Sequence, residues 1–225
     1  MTVSVVMIVR DGARFLAGAI ESVLAQTRPP DELLVVDGRS LDETLAIAAR
    51  YDVPVTQQPQ TGIADARNHG IASTHGHLVA FLDHDDRWLP SKLERQWDAL
   101  ASAEAAGYCV TLLNEAAAGD GIPVHPTLAP QLGRGPVLGL TPSALVVRRS
   151  TFDTIGAFDP SFGLGCDTEW FVRAADRGIP RATVDEALVA KLLHDRNASI
   201  DADASRRALL RSLRLSVQRK RQLVS

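Results

Sequence analysis

Blocks of apolar residues alternate with amphipathic stretches along the first hundred residues of the chain. The run VSVVMIV, Val3–Val9, is apolar throughout, as expected of a strand that is buried on both faces. Similar runs predict strands at 32–36, at 53–56, where Pro54 favours an edge position, and at 77–82. Apolar residues at helical spacing predict helices at 13–26, 41–51, 63–73 and 90–106. This alternation favours a mostly parallel sheet covered by helices.

The second half of the chain is less regular. Residues 114–139 are rich in Gly and Pro and lack a clear period, which predicts a long loop over a cleft. Beyond this loop we predict a strand at 143–149, a helix at 168–178 and a strand at 186–194. The last twenty residues predict a basic helix whose apolar positions include Leu210, Leu213, Val217 and Val224. Such a helix can lie on an anionic membrane surface, pack against the rest of the chain or form a dimer.

Composition narrows the classes of protein that fit. The 225 residues carry a net charge of −3, which speaks against a nucleic-acid partner. No apolar run reaches the roughly 18 residues that span a bilayer, and Arg10 and Asp11 end the first run too early for a signal peptide. Cys109 and Cys166 fit no metal-ligand spacing and no disulfide framework. We therefore expect a cytoplasmic protein, and the alternative is a peripheral protein at the inner face of the membrane.

Charged clusters follow three of the predicted strands. They are Arg10-Asp11, the segment 37–40 with Asp37, and the segment 83–86 with three carboxylates. Ligands of open parallel sheets bind beyond the carboxyl ends of the strands, so these clusters should meet in one crevice. Asp83 and Asp85 suit Mg²⁺ or Mn²⁺, which prefer one or two carboxylates plus substrate phosphates. The alternatives are an ordinary acidic turn, or a helix cap formed by Asp85 or Asp86.

Four longer stretches, taken in their order along the chain, resemble the motifs of a known family. They are VSVVMIVRDGARFLAGAIESVLAQTRPPDELLVVDGRSLDET, GIADARNHGI, GHLVAFLDHDDRWLPSKLERQ and ALVVRRSTFDTIGAFDPSFGLGCDTEWFVRAADRG. Together they resemble family 2 glycosyltransferases of the nucleotide-diphospho-sugar transferase superfamily. The resemblance implies an α/β GT-A fold, with a mostly parallel Rossmann-like sheet flanked by helices in a single compact domain. It further implies a nucleotide-sugar-binding half over 1–105, an acceptor-binding half over 106–200 and a separate basic helix over 201–225.

The resemblance assigns donor-side roles by position. Asp37 matches the carboxylate that binds the nucleotide base, and the strand end formed by Ile8, Val9 and Arg10 lines the base pocket. Family members often have Pro and Tyr-Asn near that strand end, where this chain has Ile8 and Arg10-Asp11. Arg67 matches the arginine near the diphosphate, and its planar fork suits phosphate oxygens. The alternative for Arg67 is a surface ion pair with Asp65.

The metal is assigned in the same way. Asp83 and Asp85 match the motif that holds the ribose and the metal, with Asp85 as the more direct ligand. His194 lies where some family members have an additional metal ligand, and a structural histidine is the alternative. The implied cofactor is Mn²⁺ or Mg²⁺.

On the acceptor side, Asp167 matches the catalytic carboxylate of the family, and Cys166 stands where the family usually has Glu. Glu169 is the competing base, and Asp167 is also able to cap the following helix. Trp170 is expected either beneath an acceptor sugar or in the core.

These residues imply an inverting, metal-dependent glycosyltransferase of class EC 2.4. Asp167 would act as the base, with a UDP-sugar as donor and a hydroxyl acceptor of unknown identity. The rival hypotheses are an inactive homologue that acts as a scaffold and a sugar nucleotidyltransferase. A hydride-transferring Rossmann enzyme is disfavoured, because no Gly-x-Gly-x-x-Gly follows the first strand.

Overall fold

A single sheet of nine strands runs through the computed structural model, which describes residues 1–119 and 121–222. The strands are β1 (Val3–Val9), β2 (Glu32–Asp37), β3 (Val55–Gln57), β4 (Leu78–Asp83), β5 (Asp86–Trp88), β6 (Tyr108–Ala117), β7 (Val137–Leu138), β8 (Leu145–Arg148) and β9 (Arg181–Leu193). The helices are α1 (Leu16–Leu24), α2 (Thr44–Ala48), α3 (Ile63–Ala72), α4 (Lys92–Ser102), α5 (Arg149–Ile155), α6 (Cys166–Asp176) and α7 (Ala202–Gln222). Within the described ranges, none of these helices has both the length and the apolar character that crossing a bilayer requires.

The order of strands across the sheet is β3-β2-β1-β4-β8-β6-β9-β5, and β7 pairs with β6 outside this path. The pairs β1–β2, β1–β4, β2–β3 and β6–β9 are parallel, and they contain most of the paired residues. Antiparallel pairs are formed by β8 with β4 and β6, by β5 with β9 and by β7 with β6. The predicted α/β architecture, with a mostly parallel sheet flanked by helices, is therefore confirmed, and β3 occupies the predicted edge.

Both faces of the sheet are covered, which explains the continuous apolar runs. Val5 and Met7 of β1 belong to a core that includes α1 and α4, whereas Val6 and Ile8 belong to a second core on the opposite face. That second core includes buried residues of α3, α5 and α6. Because side chains alternate along a strand, a strand buried on both faces is apolar at every position.

The register of the parallel strands brings their carboxyl ends to one level. Val9 of β1 pairs with Asp37 of β2, and Ile8 pairs with Asp83 of β4. The polar residues that follow these strands consequently meet at one edge of the sheet.

The predicted loop over 114–139 is wrong at its start. β6 extends to Ala117, because Asn114 to Ala117 pair with Ala190 to Leu193 of β9. A short 3-10 turn and β7 interrupt the rest of the segment, and Asp120 within it lies outside the described residues. The predictions also missed β5 and α5, and β9 begins earlier than the predicted strand at 186–194.

The predicted C-terminal helix is present as α7, and it packs against α6. Ser216 donates a hydrogen bond to Asp176 at 2.6 Å, and Arg219 forms an ion pair with the same carboxylate at 2.8 Å. Val224, one of the apolar positions predicted for this helix, lies outside the described residues.

Candidate functional site

A cavity of about 600 Å³ opens at the carboxyl ends of β1, β2 and β4. Seven of the ten sequence-predicted site residues line it, namely Ile8, Val9, Arg10, Arg67, Asp83, Asp85 and Asp167, and an eighth, His194, contacts the lining residue Asp85 through its side chain. The predicted meeting of the strand-end clusters in one crevice is thus observed. The remaining two residues, Asp37 and Glu169, have different surroundings.

Asp37 ends β2 and is fully buried beside the cavity. Its carboxylate accepts backbone N–H groups from Arg39 at 3.0 Å and from Ser40 at 3.2 Å. These bonds hold a sharp turn in which Arg39 has a φ of 64°. The neighbouring Gly38 lines the cavity, and a Cβ there would lie 3.0 Å from the Cβ of Arg10. The turn therefore keeps the first two strand ends close together.

Arg67 of α3 lies beneath the cavity and is 2% exposed. Its Nη2 donates to Asp83 at 2.9 Å, and its Nη1 contacts the Cys166 sulfur at 3.6 Å. Burial disfavours the charged guanidinium, but the carboxylates of Asp83 and Asp167 outweigh burial and raise the pKa of Arg67. The alternative of a surface pair with Asp65 is wrong, because the partner is Asp83.

Asp85 and His194 approach each other at the cavity wall. His194 Nε2 lies 3.1 Å from Asp85 Oδ2, and Asn197 Nδ2 lies 3.2 Å from the same oxygen. Burial opposes ionisation of Asp85, but the His194 hydrogen bond and the nearby charges of His84 and Lys191 outweigh burial and lower its pKa. The carboxylate is therefore ionised at neutral pH.

This pair fits a small divalent cation. Two neighbouring ligands of an octahedral ion with bonds of about 2.1 Å are about 3 Å apart, close to the separation of Asp85 and His194. In residues 1–119 and 121–222, no three His, Cys, Asp or Glu side chains are grouped to hold a metal by themselves. Mg²⁺-type ions usually take only one or two protein carboxylates and complete their shell with substrate phosphates and water.

The hydrogen bonds of His194 set a condition on its role as a ligand. The imidazole is buried and stacks on Phe15 with ring centroids 4.5 Å apart, and its Nδ1 accepts the Arg196 backbone N–H at 3.1 Å. Nε2 then carries the proton and donates it to Asp85. Metal ligation through Nε2 requires the hydrogen bond between the Arg196 backbone and Nδ1 to break. The carboxylate of Asp85 is already ionised and needs no such change to bind a metal.

Asp167 and Glu169 lie two residues apart in the first turn of α6 but face different surroundings. Asp167 lines the cavity, and burial raises its pKa, although Arg67 opposes this shift. Glu169 is 2% exposed and forms ion pairs with Arg173 at 2.7 Å and with Arg219 of α7 at 3.4 Å. Of these two carboxylates, the one that faces the cavity is Asp167.

The two residues flanking this pair belong to the interior. Trp170 is fully buried, and its ring packs edge-on against Tyr108 at 5.5 Å, so its place is in the core rather than beneath a sugar. Cys166 is also fully buried, and burial raises the pKa of its thiol to about 11. The thiol is consequently protonated at neutral pH and adds no negative charge to the cavity.

Asp86 does not cap a helix, contrary to one of the predicted alternatives. It is fully buried in β5 and accepts hydrogen bonds from Ser143 Oγ at 2.6 Å and from the Leu192 backbone N–H at 3.3 Å. Helix α4 begins at Lys92, and its N-cap residue Ser91 makes no capping side-chain bond. Asp86 therefore ties β5 to β9 beneath the cavity.

Lys191, which was not among the predicted site residues, lines the cavity from β9. A signal was present, because Lys191 is the one charged residue in the otherwise apolar stretch ALVAKLL. A charged side chain in a buried strand requires a partner or a function.

The family model of glycosyl transferase family 2 matches residues 4–156. Among curated proteins, the UDP-Glc:alpha-D-GlcNAc-diphosphoundecaprenol beta-1,3-glucosyltransferase WfgD of Escherichia coli is 36% identical over 98 residues, which are 42% of this chain. The aligned part is 39% of WfgD, so the chain spans about two fifths of the length of that relative.

Solved structures resemble the whole fold. TarS 1–349 of S. aureus in complex with UDP-GlcNAc superposes with a TM-score of 0.76 at 17% identity, covering 97% of this chain and 66% of TarS. Glucosyl-3-phosphoglycerate synthase of Mycobacterium tuberculosis in complex with Mn²⁺, UDP and phosphoglyceric acid gives 0.73 at 22% identity, covering 96% and 78%. Identities this low establish the similarity of the fold alone.

Proposed function

This chain belongs to glycosyl transferase family 2, and from that premise we propose that it transfers a hexosyl group from a UDP-sugar to an acceptor hydroxyl. The observation that carries the proposal is the cavity at the strand ends, which is lined by the carboxylates of Asp83, Asp85 and Asp167 and by the guanidinium of Arg67. Charged groups of both signs in one pocket suit a reaction in which a nucleotide diphosphate leaves. WfgD is a UDP-Glc-dependent glucosyltransferase, and the TarS and mycobacterial synthase structures are complexes with UDP-GlcNAc and with UDP, which supports uridine in the donor.

We propose that the donor lies along the ends of β1, β2 and β4. Ile8, Val9 and Arg10 line the pocket for the base, and the buried carboxylate of Asp37 fixes the turn beside it. Asp83 faces the ribose and is held in place by Arg67. In this proposal, residues 1–105 bind the donor and residues 106–200 contribute the acceptor side of the same domain.

We further propose that Mn²⁺ or Mg²⁺ binds with the donor. Asp85 would hold the ion, with His194 as a second ligand once its contact with Arg196 is released. The bound ion would supply positive charge that stabilises the departing diphosphate. Arg67, which pairs with Asp83, would add a second positive charge near the diphosphate, and its burial strengthens that electrostatic effect.

Asp167 is the base in this proposal. Its carboxylate faces the cavity, and its raised pKa makes it a better proton acceptor than an ordinary carboxylate. It would take the proton of the acceptor hydroxyl as that oxygen attacks the anomeric carbon from the face opposite to the leaving group. A single displacement of this kind inverts the configuration of the anomeric carbon.

A thermal-shift screen of nucleotide sugars, with and without Mn²⁺, tests the proposal. A ligand that binds only the folded state raises the melting temperature, so a UDP-sugar should stabilise the protein more than other nucleotide sugars. Release of UDP from the best ligand then separates an enzyme from an inactive homologue that only binds. Pyrophosphate-dependent formation of a nucleoside triphosphate from the sugar nucleotide would instead favour the nucleotidyltransferase hypothesis.

We also propose that α7 is a peripheral contact to an anionic membrane surface. One face of α7 packs against α6, while Leu209, Leu210, Leu213 and Val217 are each 43–50% exposed on another face. Basic residues accompany this apolar face: Arg206, Arg207, Arg214, Lys220 and Arg221. An apolar face with basic neighbours suits the boundary of an anionic bilayer.

Co-sedimentation with vesicles tests this contact. The double variant Leu209→Ser and Leu213→Ser should lose binding to phosphatidylglycerol vesicles, while Leu41→Ser, at a residue 94% exposed elsewhere, should bind like the wild type. If the wild type does not bind vesicles but forms a dimer, and the double variant is a monomer, then the apolar face of α7 is a dimer interface and not a membrane contact.

A further inference from the structure

Lys191 occupies the floor of the cavity without having a role in the proposed chemistry. It pairs in register with Asp86 of β5 on one side and with Glu115 of β6 on the other. The side chain is half-buried and lines the cavity together with Arg67, Asp83 and Asp85. Because β9 lies between β6 and β5, the backbone at Lys191 is paired on both sides, and the side chain starts from a fixed point of the sheet.

The ammonium of Lys191 is charged but forms no ion pair with the described residues. The carboxylate of Asp86, followed by those of Asp85 and Asp83, raises the pKa of Lys191 above its ordinary value. Within residues 1–119 and 121–222, however, no carboxylate oxygen lies within the 4.0 Å of an ion pair with its Nζ. The surrounding negative field keeps the proton on Lys191, and the N–H groups remain available to a ligand.

Arg67 is in the opposite situation. Its Nη2 is held by Asp83 at 2.9 Å and its Nη1 by the sulfur of Cys166 at 3.6 Å. Binding a phosphate through these nitrogens would weaken contacts that are already made inside the protein. Arg10, the other predicted donor-side cation, is exposed at the rim. Arg196 also lines the cavity and is exposed as well. Among the cations that line the cavity within residues 1–119 and 121–222, Lys191 is therefore the one that is half-buried and free of an ion pair.

We propose that Lys191 binds a phosphate oxygen of the nucleotide diphosphate and gives this chain a share of donor binding that does not require a metal. The proposal rests on the proposed function, since it concerns the same donor site. A charge-assisted hydrogen bond in a partly desolvated site contributes more than a neutral one. The same contact would stabilise the diphosphate as its negative charge grows during transfer.

The test compares the binding of UDP and of uridine by calorimetry, each with EDTA and with Mn²⁺. Wild-type protein should bind UDP in EDTA, and Lys191→Met should weaken that binding by about tenfold or more. Uridine has no phosphate, so its affinity should be unchanged. Lys191→Arg, which keeps the charge, should retain UDP binding in EDTA within about threefold. Lys220→Met, which removes a lysine on exposed α7, should match the wild type.

The uridine comparison separates a phosphate contact from a purely structural role. The proposal would be overturned if Lys191→Met weakened the binding of UDP and of uridine equally, or weakened neither. In either case, Mn²⁺-dependent binding of UDP by the wild type would still support the proposed function. Failure of the wild type to bind UDP under both conditions would overturn both. Melting of the ligand-free proteins shows whether each variant folds. If Lys191→Met does not fold, Lys191→Gln undergoes the same comparison.

Discussion

Two lysines lie inside this molecule, Lys191 at the cavity and Lys92 in the core at the start of α4. The carboxylates of Asp86 and Asp85 surround Lys191 and raise its pKa. Lys92 is fully buried, and its Nζ lies 3.7 Å from the centroid of the Trp88 ring. No hydrogen-bond partner reaches that nitrogen from the described residues, and burial lowers the pKa of Lys92 well below its ordinary value.

The pKa values of Lys191 and Lys92 shift in opposite directions because the two lysines have different surroundings. The strand ends collect charged side chains from several elements, so a lysine there meets carboxylates and stays ionised. Helix α4 instead buries Lys92 among apolar neighbours, where the charged form is disfavoured and, in the described residues, no carboxylate compensates for the burial. Substitutions of the cavity charges should therefore change activity more than stability, and substitution of Lys92 should do the reverse.

The largest effect is expected from Asp167→Asn, which keeps the shape of the side chain and removes the base. UDP release from the best donor of the thermal-shift screen should fall by about 10²- to 10⁴-fold, the usual contribution of general base catalysis. UDP affinity and the melting temperature should change little. Asp153→Asn, on an exposed position of α5, serves as the control. A variant that keeps its turnover would remove Asp167 from the chemistry.

Asp85→Asn should lower UDP release by about 10²- to 10³-fold, in the range found when one electrostatic stabiliser of a transition state is removed. The stimulation of UDP binding by Mn²⁺ should disappear with it, because an amide is a poor replacement for a metal-bound carboxylate. Asp195→Asn lies in the exposed segment after β9 and should behave like the wild type. Persistent Mn²⁺ stimulation in Asp85→Asn would exclude Asp85 as the metal ligand.

Much of the donor side of this cavity could be predicted from the sequence. Apolar runs identified β1, β2 and β4, and the rule that ligands bind at carboxyl ends brought Asp37, Asp83 and Asp85 to one edge. The resemblance to the family added Arg67 and Asp167, which lie in helices and have no periodic signal of their own. These predictions depend on local sequence and on a general property of parallel sheets.

The floor of the cavity could not be predicted in the same way. β5 has three residues, too few for a periodic pattern, and it exists because it pairs with β9 about a hundred positions away. Lys191 and Asp86 meet only through that pairing. The same limit applies to Lys92, which is buried because α4 packs onto the sheet. Distant partners, rather than neighbours in sequence, decide the state of these charges.

Glu169→Gln provides a sharper test within one helix, because Glu169 and Asp167 share the first turn of α6. The substitution should lower the free energy of unfolding by about 2–3 kcal/mol, since the half-buried guanidiniums of Arg173 and Arg219 lose the charged partner that Glu169 provides. Turnover should remain within about threefold of the wild type. Urea unfolding and UDP release measure the two quantities, and a large loss of turnover with unchanged stability would reassign the base to Glu169.

The smallest effect is expected from Lys92→Met, which should stabilise the protein by about 1–2 kcal/mol at pH 7 by removing a buried amine without a partner. Because the folded-state pKa of Lys92 is lowered, the unfolded chain binds a proton that the folded chain does not, up to the ordinary lysine pKa of about 10.4. Stability of the wild type relative to Lys92→Met should therefore rise with pH across that window. Urea unfolding at about pH 7 and about pH 8 should show the gap between the two proteins narrowing by about 1.4 kcal/mol, whereas Lys220→Met should follow the wild type at both. An equal gap at both pH values would mean that Lys92 is charged in the folded protein, and the contrast with Lys191 would then be one of hydrogen-bond partners rather than of protonation.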